Sequence, residues 1–305
     1  MSMKADQLKI AYIGGGSRVW AWNLMADLAR AEDMSGKVFL YDIDFPAAKN
    51  NEIIGNNIQK EKWEYKAVKT IGESLSGADF VVISILPGTF DEMEFDVHLP
   101  EEYGIYQSVG DSVGPGGIIR SLRCVPMMEE IAHAVEEYCP NAWVINYTNP
   151  MTLCVDALYH AFPKIKAYGC CHEVYEVKDI LRKALKDISG IDTESRDDIK
   201  IRLTGINHFT WITKARYKDI DIYPVYKKFA EKYSGTGYNF KHESNHLNNC
   251  WRQLELVKFD LFMKYDCIAA AGDRHLAEFC PGDWYLKDPQ SVLDWGFALT
   301  PVSWR

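Results

Sequence analysis

Six short runs rich in Val, Ile, Tyr and Phe, at residues 8–13, 37–41, 66–70, 79–85, 142–146 and 165–169, alternate with stretches of helical apolar spacing. Strands separated by helix-length connections do not pair as hairpins. They form right-handed βαβ units, whose parallel sheet is covered by helices on both faces. The clearest helix spans residues 122–138, where Val125, Met128, Ile131, Ala132 and Val135 recur at i, i+3, i+4 spacing and Glu129, Glu130, Glu136 and Glu137 face away. From residue 199 the pattern changes. Residues 199–217 read as extended structure broken at 205–207, followed by helices over 225–233 and 251–265 with no parallel-strand candidates between them. The expected fold class is α/β: a Rossmann-like doubly wound parallel sheet over residues 1–198, then an α+β substrate domain over residues 199–305. Residues 299–305 still alternate apolar and polar like a strand entering a sheet, so the fold is expected to be incomplete at the C-terminus.

The first run leads into Gly14-Gly15-Gly16-Ser17 and then a helical pattern from about Val19 to Arg30. In a doubly wound fold this is where a pyrophosphate meets backbone N–H groups and a helix N-terminus. The turn departs from G-x-G-x-x-G, with Val19 at the third glycine position. Asp42 ends the second run, where a carboxylate accepts hydrogen bonds from ribose hydroxyls and repels a 2′-phosphate, which favours NAD over NADP. The alternative is a tight turn without ligand, and Asp44 is a candidate cap for the next helix.

Lys and Arg total 34 against 43 Asp and Glu, a formal charge of −9, so the surface field repels phosphate backbones and anionic lipid. No nucleic acid and no membrane is expected as a partner. The longest apolar run, residues 80–87, is far short of a spanning helix, the first nine residues carry no apolar signal core, and a cytoplasmic location is expected. The eight Cys show no disulfide framework, so a special Cys is more readily a ligand or nucleophile than a staple.

Three chemistry-bearing stretches follow strand ends: Asn146-Tyr147-Thr148-Asn149-Pro150, Cys170-Cys171-His172-Glu173 and Gly205-Ile206-Asn207-His208. Strand ends of a doubly wound sheet collect ligands, so Asn149, Cys171 and His172 are placed to converge there. Cys171 and His208 make a plausible thiolate–imidazole pair for a divalent metal with open positions. Taken singly, each has a plainer reading: a Cys ending a buried strand packs as a small hydrophobe, and a His near a bend is hydrogen-bonded. A glycine cluster over residues 110–117 containing Asp111 precedes a helix expected to begin near Arg120. Gly272-Asp273-Arg274-His275 brings a carboxylate, a guanidinium and an imidazole after a run of small residues, alternatively a solvated loop.

Taken together, Gly14-Gly15-Gly16-Ser17, Asn146-Tyr147-Thr148-Asn149-Pro150, Cys171-His172-Glu173-Val174, Gly205-Ile206-Asn207-His208-Phe209 and Gly272-Asp273-Arg274-His275 resemble the NAD- and manganese-dependent family 4 glycoside hydrolases, in order along nearly the whole chain. The Cys-His-Glu-Val tetrad is similar to the branch that cleaves α-galacturonides. Members of this family usually extend beyond the point where this chain stops.

The resemblance implies hydrolysis by oxidation at sugar C3, elimination across C1–C2, addition of water and return of the hydride. In that scheme Gly14, Gly15, Gly16, Ser17 and Asp42 bind NAD, and Cys171 and His208 hold Mn²⁺ or another divalent metal that polarises the C3 ketone. Asp273 is the base at C2 and His172 the acid at the leaving oxygen. Asn149 and Asp111 hold substrate, and Arg120 or Arg274 pairs with the uronate carboxylate. A small-molecule galacturonide is the expected partner, with a homo-oligomer as the assembly. Two other readings are an NAD-dependent sugar-acid or hydroxy-acid dehydrogenase and a catalytically silent NAD-binding protein.

Overall fold

A computed structural model describes residues 5–58, 61–238, 253–300 and 302 of the chain. All six expected strands form: β1 (Ala5–Ile13), β2 (Met34–Tyr41), β3 (Trp63–Val68), β4 (Phe80–Ile83), β5 (Trp143–Asn146) and β6 (Lys166–Gly169). They pair in parallel in the order β3-β2-β1-β4-β5-β6, with Ile13 beside Tyr41 on one side and Ile83 on the other. The strand order reverses between β1 and β4, the point at which ligands bind in such sheets.

Burial on both faces explains the uniformly apolar strands. Ile10 and Tyr12 point into a layer with Met25 and Leu28 of the helix Val19–Arg30. Ala11 and Ile13 point the other way, onto Met128, Ile131, Ala132 and Val135 of the helix Gly114–Tyr138. Each fully buried side chain of this kind contributes about 1.5–3 kcal/mol.

That helix begins at Gly114, earlier than the start expected near Arg120, so the second half of the glycine cluster is helix rather than loop. Gly116 is there for closeness: a Cβ at this position would overlap the Asp96 carbonyl oxygen and fall 2.6 Å from Gln107 Nε2. Glycine lowers helix propensity, which is why the sequence pattern hides this first turn.

The chain divides into two compact units, Met1–Gly88 with Ser121–Cys170, and Thr89–Arg120 with Cys171–Arg305. The division after Cys170 falls earlier than the boundary expected at residue 199, where an antiparallel hairpin starts, β7 (Ile199–Ile206) and β8 (Phe209–Tyr217), flanked by the short β9 (Ile220–Asp221) and β10 (Ile268–Ala269). The preceding helix Glu173–Ser189 groups with this hairpin because its apolar stripe, Val177, Ile180, Leu181, Ala184 and Leu185, packs against Ile199, Ile212 and Ala215. Helices Tyr223–Tyr233 and Leu256–Tyr265 close that core with Tyr226, Phe229, Phe259 and Phe262.

Leu299 and Thr300 are not in a strand, and most of the strand expected over residues 299–305 lies outside the described residues. Among the described residues, no helix is long and apolar enough to cross a membrane.

Candidate active site

In the first unit the turn after β1 is held from within. Gly14 and Gly15 both donate their N–H to the Tyr41 carbonyl at 2.9 Å, and Ser17 donates to the Gly14 carbonyl at 3.0 Å. Gly14 has φ +89°, and a Cβ there would overlap the Ser84 carbonyl, so glycine is required twice over. The Asp42 carboxylate accepts from Gly16 N–H at 2.7 Å and from Asp44 N–H at 2.9 Å. A carboxylate has further lone pairs, so these bonds leave acceptor capacity for ribose hydroxyls. Asp44 in turn accepts from Ala47 N–H at 3.1 Å at the start of the helix Phe45–Ile58, the capping role expected of it.

Asn51, 3% exposed in the middle of that helix, donates through Nδ2 to the Gly15 and Ser17 carbonyls at 2.7 and 2.9 Å. Sequence reasoning missed it, because a polar residue on a helix carries no local sign that its partners lie in a preceding turn. No side chain caps the helix Val19–Arg30 at Arg18, so its first amides are offered to an anion. Glycines at close approach, an uncapped helix start and a strand-end acid fit the dinucleotide expected here.

The Asn146-to-Pro150 stretch ties β4 to β5. Asn146 accepts from Thr148 N–H at 3.1 Å and donates to its carbonyl at 2.9 Å, while Thr148 Oγ1 accepts from Ile85 N–H at 2.9 Å. Asn149 follows on the same loop, with a cis peptide to Pro150.

The second unit assembles its polar cluster from three separate segments. Asp111, His208 and His275 each present a ligand atom, all within 4.8 Å of one another. Asp111 is 5% and His208 3% exposed, and the His208 and His275 rings lie 3.7 Å apart between centroids at 32°. Burial pushes both imidazole pKa values down, and for His275 the neighbouring His208 adds to this, so both rings are neutral near pH 7. Burial would raise the Asp111 carboxyl, but the charges of His208 and His275, in their protonated forms, and of Arg120 outweigh it and hold the group below the usual range. One carboxylate and two neutral imidazoles are the donor forms a divalent metal requires, and the residues therefore fit such an ion. Ser112 orients Asp111 by donating to Oδ1 at 2.7 Å.

His208, expected as a ligand, is in this cluster, reached through a cis Asn207–His208 peptide in the β7–β8 turn. Cys171 is not a member of the group. Burial pushes its thiol up to about 11, opposed by the Glu173 N–H and the Asn207 side chain, and Asn207 donates to Glu173 Oε1 at 2.9 Å. The Cys171 thiol is thus beside the neighbour of His208, and metal binding there would displace a proton. His172 starts the helix Glu173–Ser189 with a side chain 59% exposed and Nε2 3.7 Å from Glu176 Oε1, and its charge bears on both His208 and His275.

The remaining candidates have structural work of their own. Asp273 has no exposed surface and accepts from the Val257 and Lys258 N–H groups at 3.3 and 3.1 Å, capping the helix Leu256–Tyr265. Burial and the neighbouring Glu255 push its carboxyl up to about 7. Glu255 itself is paired with the buried Lys258 at 2.5 Å. Arg274 donates to the Ser108 carbonyl at 2.7 Å and to Thr300 Oγ1, whereas Arg120 is buried beside Asp111.

Glu278, which sequence reasoning passed over, accepts from Val109 and Gly110 N–H at 2.6 and 2.7 Å, and burial pushes its carboxyl up to about 8. The quoted motif stops at His275, and the three residues that follow it gave no reason to continue.

A doubly wound sheet with a glycine turn at its switch point, and a separate unit carrying two imidazoles and a carboxylate at metal-ligand spacing, define a dinucleotide-binding fold with a metal-competent site. The chain belongs to family 4 of the glycosyl hydrolases: "Family 4 glycosyl hydrolase" matches residues 9–187 and "Family 4 glycosyl hydrolase C-terminal domain" matches residues 203–294. It is 63% identical over 307 residues to the alpha-galacturonidase of Thermoanaerobacterium saccharolyticum, covering 99% of this chain and 66% of that protein. The crystal structure of lplD from Bacillus subtilis superimposes with a TM-score of 0.93 at 55% identity, covering 98% of this chain and 68% of the other. A 6-phospho-alpha-glucosidase from gut microorganisms, solved in complex with NAD and Mn²⁺, shares the fold with a TM-score of 0.72 at 20% identity, over 89% of this chain and 61% of that one.

Proposed function

We propose that the chain carries the catalytic site of an α-galacturonidase, hydrolysing α-galacturonides by oxidation at C3, elimination across C1–C2, addition of water and reduction. The observation that carries this is the 63% identity, over nearly the whole chain, to a protein of that activity. When bound, NAD would accept and return the C3 hydride while a divalent metal would polarise the C3 oxygen; the 6-phospho-alpha-glucosidase structure was solved with NAD and Mn²⁺.

Gly14, Gly15, Gly16 and Ser17 shape the turn for the pyrophosphate, and Asp42 selects NAD by repelling a 2′-phosphate. His208 is common to two ligand sets for the metal: Cys171, expected from the motif, and the pair Asp111 and His275. His172, the exposed imidazole of the group, donates the proton to the leaving oxygen. Asp273 is the base we propose for C2; a carboxyl at about 7 suits proton uptake near neutrality, and the Val257 and Lys258 amides fix its orientation. With Arg274 committed to Ser108 and Thr300, Arg120 is the guanidinium proposed for the uronate, and Asn149 holds the C2 and C3 hydroxyls.

The test is galacturonate release from an α-galacturonide with NAD and Mn²⁺ supplied or withheld. Release that needs both, without net NADH, supports the reading, and NADH accumulating one for one with substrate would replace it with a dehydrogenase. In deuterated water the released sugar should carry deuterium at C2. Asp273→Asn should lose that exchange while keeping the near-ultraviolet circular dichroism of the folded chain, although only one of its two backbone bonds survives, since an amide has one acceptor oxygen. Loss of both together would leave Asp273 with its capping role alone.

A further inference from the structure

We propose that Glu278 is a positioning residue that sets the Asp111 carboxylate for metal binding. The inference rests on the reading that Asp111, His208 and His275 hold the cation. Glu278 Oε1 accepts two consecutive backbone N–H groups, Val109 at 2.6 Å and Gly110 at 2.7 Å, the two peptides immediately before Asp111. Gly110 has φ +66°, and an L side chain would strain that conformation, so the backbone reaches Asp111 through a bend that one acceptor holds.

The second ligand is on the same short helix. His275 and Glu278 both belong to Asp273–Glu278, three residues apart, and therefore on neighbouring positions of one helix face. At the other end of the loop, Arg274 of the same helix holds the Ser108 carbonyl at 2.7 Å, and Ser108 Oγ donates to the Arg274 carbonyl. The segment from Ser108 to Gly110 is thus clipped to the helix by four bonds up to the bend that leads into Asp111. The clip ties the backbone that leads into Asp111 to the helix that carries His275. Groups that orient metal ligands typically change affinity 10- to 100-fold when removed.

The experiment measures Mn²⁺ affinity of the metal-free chain, by calorimetry and by the electron paramagnetic resonance of free and bound Mn²⁺, for wild type, Asp111→Asn, His275→Asn, Glu278→Ala and Glu278→Gln. Glu278→Ala should weaken Mn²⁺ by about 10- to 100-fold. Glu278→Gln keeps the accepting Oε1 and should restore affinity to within a few-fold. Adding Glu278→Ala to Asp111→Asn should cost little more than Asp111→Asn alone, because the two act through one ligand. Full additivity, or wild-type affinity in Glu278→Ala while Asp111→Asn loses it, would overturn the assignment and leave the metal site standing. Wild-type affinity in both Asp111→Asn and His275→Asn would instead reject the ligand set on which it rests. Should Glu278→Ala fail to fold by near-ultraviolet circular dichroism, the comparison of Glu278→Gln with Glu278→Asp, one methylene shorter, decides the point: loss in Asp with retention in Gln supports the clip, and equal affinities overturn it.

Discussion

The two units hold their polar residues in place by opposite means. In the parallel-sheet unit the glycine turn is fixed by Tyr41, Asp42 and Asn51, and the farthest of these bonds spans 36 residues. In the other unit the loop before Asp111 is fixed by Arg274 and Glu278 across 166 to 169 residues. A turn stabilised by its own βα unit forms with that unit. A site clipped across such separations exists only once the whole unit has folded, because long loop closures must precede its contacts.

That contrast can be broken at either end, and the largest effect is expected at Gly14. Gly14→Ala places a side chain at φ +89° against the Ser84 carbonyl, so backbone strain and overlap together should remove about 3 kcal/mol or more of stability. A denaturant midpoint equal to wild type would show that the turn has slack the geometry denies. Next, His208→Ala should weaken Mn²⁺ about a hundredfold while leaving NAD affinity within about twofold, if the two sites are built independently. Cys171→Ser sharpens this: a loss as large as that of His208→Ala, together with loss of proton release on binding, would place the thiolate among the ligands. Asn51→Ala should reduce NAD affinity by up to roughly thirtyfold, as expected for two lost hydrogen bonds near 1 kcal/mol each, and leave Mn²⁺ binding unchanged.

A further effect, spread over a range of pH rather than caused by one substitution, comes from two buried carboxyls. Asp273 and Glu278 have carboxyls raised to about 7 and about 8 in the folded chain, against 3.8 and 4.5 for ordinary groups. At these two carboxyls the native state binds more protons than the unfolded state between about pH 4 and 8, which takes stability away as pH rises, whereas His208 and His275, pushed below the ordinary imidazole value, bind fewer and oppose that fall. Asp273→Asn should flatten the lower part of the slope. An Asp273→Asn slope equal to that of the wild type would show that this carboxyl ionises readily in place.

The same contrast explains what could be read from the residues alone. The six strands, the glycine turn and the Asp44 cap were legible because periodicity and turn chemistry are local. Asp111, Arg120, His208 and Arg274 were named individually, but their partners were not, since nothing in residues 108–112 points to residues 273–278. Asp111 and His275 were therefore not paired as ligands, and the capping of helix Leu256–Tyr265 by Asp273 was invisible beside its motif. The helix start at Gly114 escaped because its glycines argue for a loop, whereas Gly116 serves the close passage of Asp96 and Gln107.

The paired rings of His208 and His275 have a consequence for which ion the chain would hold. Two imidazoles and one carboxylate are borderline donors, and across first-row divalent ions such a set follows the order in which copper and zinc outcompete manganese. Chemistry at the site does not by itself enforce manganese. A preparation exposed to zinc would fill with the wrong ion and register as inactive although correctly folded. Its recovery by chelation followed by manganese would identify a fault of provisioning rather than of the polypeptide.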